Sequence, residues 1–200
     1  MNKSLDQVIL VNEQDEPIGV MDKVAAHRGT GKLHRAISVY LFRKLKIKNQ
    51  GLRIEILLQQ RSQAKFTAPL EWANTVCGNV RPGETYLECA QRRLREELGI
   101  IKLRNLKTKQ LTPLYKFQYQ VKCNEEFSEN EIDQVFVGFY DEEITPNPEE
   151  VKTTKWIEWN KLSIDHCSLK IVFAPWFVWM LNDKKLIKKI NQYLRDNDRC

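Results

Sequence analysis

The sequence contains no CxxC pair, no apolar run long enough to cross a bilayer, no internal repeat and no low-complexity linker. Its five cysteines (Cys77, Cys89, Cys123, Cys167 and Cys200) are odd in number and unpaired in spacing, so a disulfide framework is not indicated and reduced thiols in a cytoplasm are expected. The first residues carry no apolar stretch of the kind a secretory leader needs, and no run reaches the length of a spanning helix. A basic stripe or a recognisable nucleic-acid module is also missing. What is present is an ordinary globular composition, 42% hydrophobic and 29% charged, with a net charge of +6 that favours an anionic partner without naming it. Two hundred residues suit one domain, 1–200, and a monomer is expected. Partners of nucleic-acid or membrane type are not.

Hydrophobic periodicity divides the chain into strands and helices. Val8–Asn12, Ile18–Met21, Ala36–Phe42 and Leu52–Gln60 read as strands, with a polar turn at Glu13–Glu16 and a lysine-rich turn ending at Asn49–Gly51. From Thr85 the period changes. Thr85 and Glu88 form a capping box, Gly99 supplies the stop, and Leu87, Ala90, Leu94 and Leu98 make one apolar stripe between them. Tyr115–Lys122, Gln134–Tyr140 and Lys152–Trp159 are strands again. The chain turns helical from about Pro175, with a break at Asn182–Asp183 and a final amphipathic helix that keeps Lys184, Lys185, Lys188 and Lys189 in water. A mixed sheet covered by helices on both sides, an α+β sandwich, is the architecture this order implies.

The informative stretch runs Cys77-Gly-Asn-Val-Arg-Pro-Gly-Glu84, then seven residues, then Arg92-Arg-Leu-Arg-Glu-Glu-Leu-Gly-Ile100. It resembles the Nudix box, G-x5-E-x7-R-E-U-x-E-E-x-G-U with U aliphatic, a loop–helix–loop that holds metal-bound diphosphates. Gly78, Glu84, Arg92, Leu94, Glu96, Glu97, Gly99 and Ile100 all fall on it. Pairing of Glu88, Arg92 and Glu96 on an exposed helix face would account for the charges but not for the glycines. One position departs: Arg93 stands where a hydrolase has its first glutamate, on the face it shares with Glu96 and Glu97. A cation there weakens a multi-metal cluster and can hydrogen-bond a diphosphate. In this the run resembles the type I isopentenyl-diphosphate isomerases, which have a Nudix-like α/β/α sandwich with N-terminal strands and a C-terminal helical extension.

That resemblance covers nearly the whole chain, and its anchors occur in order. By it, His27 and His34 would be metal histidines, Glu129 and Glu131 paired metal glutamates, and Arg61 and Lys65 a diphosphate-binding basic pair joined by Lys23 and Arg93. Cys77, Tyr119, Glu131 and Trp176 would be catalytic. The implied reaction adds a proton at one carbon and removes one from another, through a tertiary cation-like intermediate. Glu131 with Tyr119 would protonate, Cys77 would handle the other proton, and the Trp176 ring would steady the charge. One divalent ion (Mg²⁺, Mn²⁺ or Zn²⁺) would be held by the histidines and glutamates, and Glu97 would anchor a second Mg²⁺ on the substrate's diphosphate.

Taken singly these residues have plainer readings. Cys77 can be a small buried hydrophobe, Trp176 plain core, Tyr119 strand filling, and Glu129 and Glu131 part of a solvated acidic loop. His166, Cys167 and Cys200 match nothing. Asn79 is the departure that matters, because the family ordinarily has a metal-binding histidine there. An amide oxygen is a weaker ligand than imidazole for a transition metal. A Nudix hydrolase of a small diphosphate compound, and a non-catalytic diphosphate-binding relative, are therefore the alternatives.

Overall fold

The computed structural model describes residues 7–48, 51–101 and 111–197. Residues 49 and 50 of the lysine-rich turn, and Cys200, lie outside these. Along the chain come β1 (Gln7–Val11), β2 (Pro17–Asp22), α1 (Lys23–His27), β3 (His34–Ile47), β4 (Gly51–Arg61), β5 (Trp72–Ala73), β6 (Val76–Asn79), α2 (Tyr86–Leu98), β7 (Thr112–Lys122), β8 (Ser128–Phe139), β9 (Val151–Glu158), α3 (Trp159–Asp165), a 3₁₀ turn at His166–Leu169, α4 (Pro175–Asn182) and α5 (Lys184–Asp196).

One mixed sheet holds the described strands, and β3 is its spine. On one side β3 pairs in parallel with β8 from His34↔Glu131 to Phe42↔Phe139. On the other it pairs antiparallel with β6, Ser38 opposite Cys77 and Ala36 opposite Asn79, and further along with β4. Strand alternation sends Ile37, Val39 and Leu41 to one face, where they pack on Ala90, Leu94 and Leu98 of α2. Tyr40 and Phe42 face the other way, into a core shared with Phe177 and Met180 of α4 and Leu186, Ile190 and Leu194 of α5. Helices thus cover both faces, as the pattern implied.

The helix at the box forms for the reasons visible in sequence. The Thr85 hydroxyl accepts from the Glu88 amide while the Glu88 carboxylate accepts from the Thr85 amide, and Gly99 closes the helix at φ +69°. The break between α4 and α5 is real, with Asp183 capping α5 through the Lys185 and Leu186 amides. Several boundaries move. β3 runs on through Lys46, because the basic ribbon finds cross-strand partners such as Arg43–Glu55 at 2.6 Å. β8 starts at Ser128 rather than near Gln134. α1, α3, β5 and β6 are additions, all too short to show a period. None of the helices described is long and apolar enough to cross a membrane.

Candidate active site

α1 is a single capped turn: the Asp22 carboxylate accepts from the Ala25 amide at 2.9 Å, and the turn aims His27 inward. His27 Nδ1 lies 2.6 Å from the Lys23 carbonyl, and His34 Nδ1 lies 2.7 Å from the Lys32 carbonyl. A carbonyl can only accept, so each Nδ1 carries the hydrogen and each Nε2 presents a lone pair. Those lone pairs face carboxylates. His27 Nε2 is 2.9 Å from Glu129 Oε2, and His34 Nε2 is 3.3 Å from Glu131 Oε1. The four groups are buried, and their ligand atoms all lie within 4.8 Å of one another.

Glu129 and Glu131 are two apart on β8, which puts both on the α4 face of the sheet. Their burial overturns the solvated-loop reading of the acidic segment. Glu129 Oε2 has no donor. Acceptors aimed at acceptors in a dry site need a proton or a metal ion between them, and two imidazole nitrogens with two carboxylate oxygens suit a divalent metal. Burial pushes the His34 imidazole down, so it stays neutral and able to ligate. Burial also opposes charge on both glutamates. For Glu129 the charges of His27 and His34 outweigh it whenever those rings are protonated and hold the carboxyl low, while Glu131 is raised, burial first and the Glu129 charge second.

Asn79 faces this quartet. Its Nδ2 is 3.0 Å from His34 Nε2 and 3.1 Å from Glu131 Oε1, so the amide donates into the lone pairs that a metal would use. Turning the amide over brings its oxygen to the same place. On the far side of Glu131 the Tyr119 hydroxyl donates to Oε2 at 2.5 Å.

Lys23, Arg61, Lys65 and Arg93 line one cavity together with Cys77, Asn79, Tyr119 and Trp176, above His27, Glu129 and Glu131. Of the residues given a catalytic, substrate-binding or metal role from the sequence, only His34 and Glu97 stand behind its wall. Burial, then repulsion from Lys65, Arg93 and Arg61, lowers the Lys23 amine to about 8. The Arg61 guanidinium is fixed by the Thr67 carbonyl at 3.0 and 3.1 Å, lies 4.8 Å from the centre of the Trp176 ring, and reaches Cys77 Sγ at 3.9 Å. Trp176 therefore already carries a cation against its face. Burial pushes the Cys77 thiol up to about 12 against the opposing effect of Arg61.

Arg93 reaches the cavity past Gly78, where a Cβ would sit 2.8 Å from Arg93 Cγ. Only glycine leaves that passage open. The Arg93 guanidinium contacts Glu96 at 2.6 Å, Glu150 at 2.7 Å, and Glu97. Glu97 also accepts from Gln59 at 2.7 Å, so both its oxygens are engaged within the protein.

Sequence reasoning missed three contributors. Glu150 arrives from the turn before β9 and left no local signal. Thr67, which holds Arg61, left none either. Asp133 did: it continues the period of two from Glu129 and Glu131, and the Ser38 hydroxyl donates to it at 2.7 Å in the buried floor.

The NUDIX domain model matches residues 32–177. Isopentenyl-diphosphate Delta-isomerase 1 of Aromatoleum aromaticum is 40% identical over 76% of this chain and 77% of its own length. The isopentenyl-diphosphate Delta-isomerase of Saccharopolyspora erythraea is 38% identical over 86% and 82%. Among solved structures, a Deinococcus radiodurans protein superposes with a TM-score of 0.66 at 22% identity, covering 88% of this chain and 96% of that one. A MutT protein of Methanosarcina mazei gives 0.55 at 16% over 80% and 95%. These structural likenesses concern the fold.

Proposed function

The chain belongs to the Nudix family and, within it, to the isopentenyl-diphosphate Delta-isomerases, and from that premise we propose that its cavity converts isopentenyl diphosphate to dimethylallyl diphosphate. The observation that carries this reading is the convergence on one cavity of a thiol, a tyrosine-bonded carboxyl and a tryptophan face beside four cations. A hydrolase would need its carboxylates on the box helix for metal, and here Arg93 is bonded to Glu96, Glu97 and Glu150 instead.

The cations Lys23, Arg61, Lys65 and Arg93 bind and orient the diphosphate. The prenyl end then lies between Cys77 and the Glu131–Tyr119 pair, where the Trp176 ring helps to exclude water. Glu131, kept protonated by its burial and oriented by the Tyr119 hydroxyl at Oε2, protonates the methylene carbon. Cys77 takes a proton from the carbon on the other side of the cation, and in the free protein Arg61 beside Sγ favours the thiolate against burial. The reverse reaction uses the same two groups with their roles exchanged. Trp176 stabilises the cation once Arg61 turns to the diphosphate.

His27, His34, Glu129 and Glu131 would hold the divalent ion, with Asn79 completing the set through its oxygen. That ion, Mg²⁺ or Mn²⁺ before Zn²⁺, would fix the acid in place and neutralise its surroundings. Glu97 would take part in holding a second Mg²⁺ brought by the diphosphate, through the oxygen that Arg93 gives up on turning to the substrate. The working protein is a single-domain cytoplasmic monomer. Incubation with isopentenyl diphosphate and Mg²⁺, followed by analysis for isomer and for phosphate, tests the assignment. Isomer without phosphate is the expected result. Phosphate release without isomer replaces it with hydrolysis.

A further inference from the structure

Glu150 has no part in the proton transfers, yet it sits at the centre of the cation wall. Its position is fixed by backbone rather than by chance contact. The Glu150 amide donates to the Asn147 carbonyl at 3.0 Å, its own carbonyl accepts from the Ser62 amide at 3.1 Å, and the Asn147 amide donates to the Glu97 carbonyl at 2.9 Å. The turn is thereby pinned to the end of α2 on one side and to the segment after β4 on the other. From there a single carboxylate oxygen, Oε2, accepts from both Lys65 Nζ and Arg93 Nη2. Two cations from separate elements converging on one oxygen is the arrangement that a non-bridging phosphate oxygen would take. Burial alone would raise the Glu150 carboxyl, but Arg93 and Lys65 bring it down to about 2, so the anion is permanent near neutrality.

We propose that the Glu150 carboxylate is an intramolecular stand-in for the substrate's phosphate, holding Lys65 and Arg93 in the free protein and giving them up when a diphosphate binds. This rests on the reading of the cavity as a diphosphate site. The stand-in has a use that follows from the chemistry. Substrate and product carry the same diphosphate, so grip on that group is uniform binding, which deepens both wells equally and retards release. A resident anion weakens that grip while keeping both cations in place and out of other ion pairs.

The test is calorimetric titration of inorganic pyrophosphate into the wild type, Glu150→Gln and Glu149→Gln. Glu149 is exposed on the same turn, so its variant carries the same change in net charge away from the cations. Glu150→Gln is expected to bind about tenfold more tightly, with Glu149→Gln unchanged, and in turnover to lower KM without raising kcat. Equal or weaker pyrophosphate binding by Glu150→Gln, with the wild type binding well, overturns the stand-in and leaves the isomerase reading intact. Equal tightening by both variants overturns it too, since the general field would then be the cause. Failure of the wild type to bind pyrophosphate at all removes the diphosphate site and the stand-in together. Should Glu150→Gln not fold, as judged by circular dichroism, Glu150→Ala gives the same reading.

Discussion

Two polar clusters in this molecule gather side chains from several elements, and they differ in one respect. At the turn between β1 and β2, the Asp15 carboxylate accepts from Arg35 at 2.7 Å, Tyr86 at 2.9 Å and Lys116 at 2.7 Å, tying the turn to β3, α2 and β7. Every donor there has its acceptor. The quartet of His27, His34, Glu129 and Glu131 is as well ordered, but its inner atoms are all acceptors, relieved only by Tyr119 and the Asn79 amide. A structural knot satisfies itself; a binding site is left requiring something. That incompleteness separates the two more clearly than burial or charge count does.

The sharpest consequence is a crossed pair of isosteric changes. Glu131→Gln removes the acid and is expected to lower isomerisation at least about a hundredfold, the scale of a lost proton-transfer group, and Cys77→Ala should match it. The metal-free protein should not lose stability with Glu131→Gln, because an amide supplies the donor that the quartet lacks. Asp15→Asn should do the reverse, costing about 1–2 kcal/mol for charge-assisted bonds at a partly exposed site while kcat stays unchanged. Asparagine also tolerates the left-handed backbone at residue 15, φ 64°. Denaturant melts beside turnover assays read both. Loss of activity in Asp15→Asn, or a large loss of stability in metal-free Glu131→Gln, would erase the distinction.

The same contrast has a smaller expression in pH. For Asp15 burial alone would raise the carboxyl, but the bonds from Lys116, Arg35 and Tyr86 outweigh it and hold it below its ordinary value near 3.8. A depressed carboxyl contributes stability above its unfolded value and loses it as pH falls through the folded one. Glu131, raised by burial, works oppositely: its contribution declines as pH rises above the ordinary carboxylate range, since the unfolded chain ionises first. Melting curves from pH 2 upward should therefore show a shallower acid limb in Asp15→Asn. In metal-free Glu131→Gln the decline on the neutral side should be the part that flattens.

Much of this was legible in the sequence, and the parts that were not share a cause. The box helix could be read to its ends because capping box, stripe and glycine stop are local. The quartet was legible by family resemblance, and the two-residue spacing of Glu129 and Glu131 is what puts both on one face of a strand. Asp133 extends that spacing and was there to be read. Glu150 was not, since Glu149 and Glu150 differ only in which way a turn presents them, and that turn is set by bonds to Glu97 and Ser62 far away in sequence. The strand through Lys46 was hidden for the same reason: its lysines and arginine suggest solvent until the cross-strand glutamate is known.

The smallest effect bears on whether the quartet is incomplete by one ligand. Asn79 occupies the position at which relatives are expected to present an imidazole, and its amide nitrogen donates to His34 Nε2 and Glu131 Oε1. To bind a metal the protein must turn that amide over, giving up two hydrogen bonds to gain one neutral oxygen ligand. Oxygen donors favour Mg²⁺ or Mn²⁺ over Zn²⁺, and imidazole favours the reverse. Asn79→His should thus tighten Zn²⁺ by about tenfold or more, the scale on which a single supporting group alters metal affinity, and improve Mg²⁺ little. The change should also lower the stability of the metal-free protein, because a neutral imidazole replaces two donated hydrogens with at most one. Calorimetric Zn²⁺ titration of both proteins decides it. Equal affinities would mean that Asn79 serves the apo quartet as a hydrogen-bond donor and stands outside the metal's coordination.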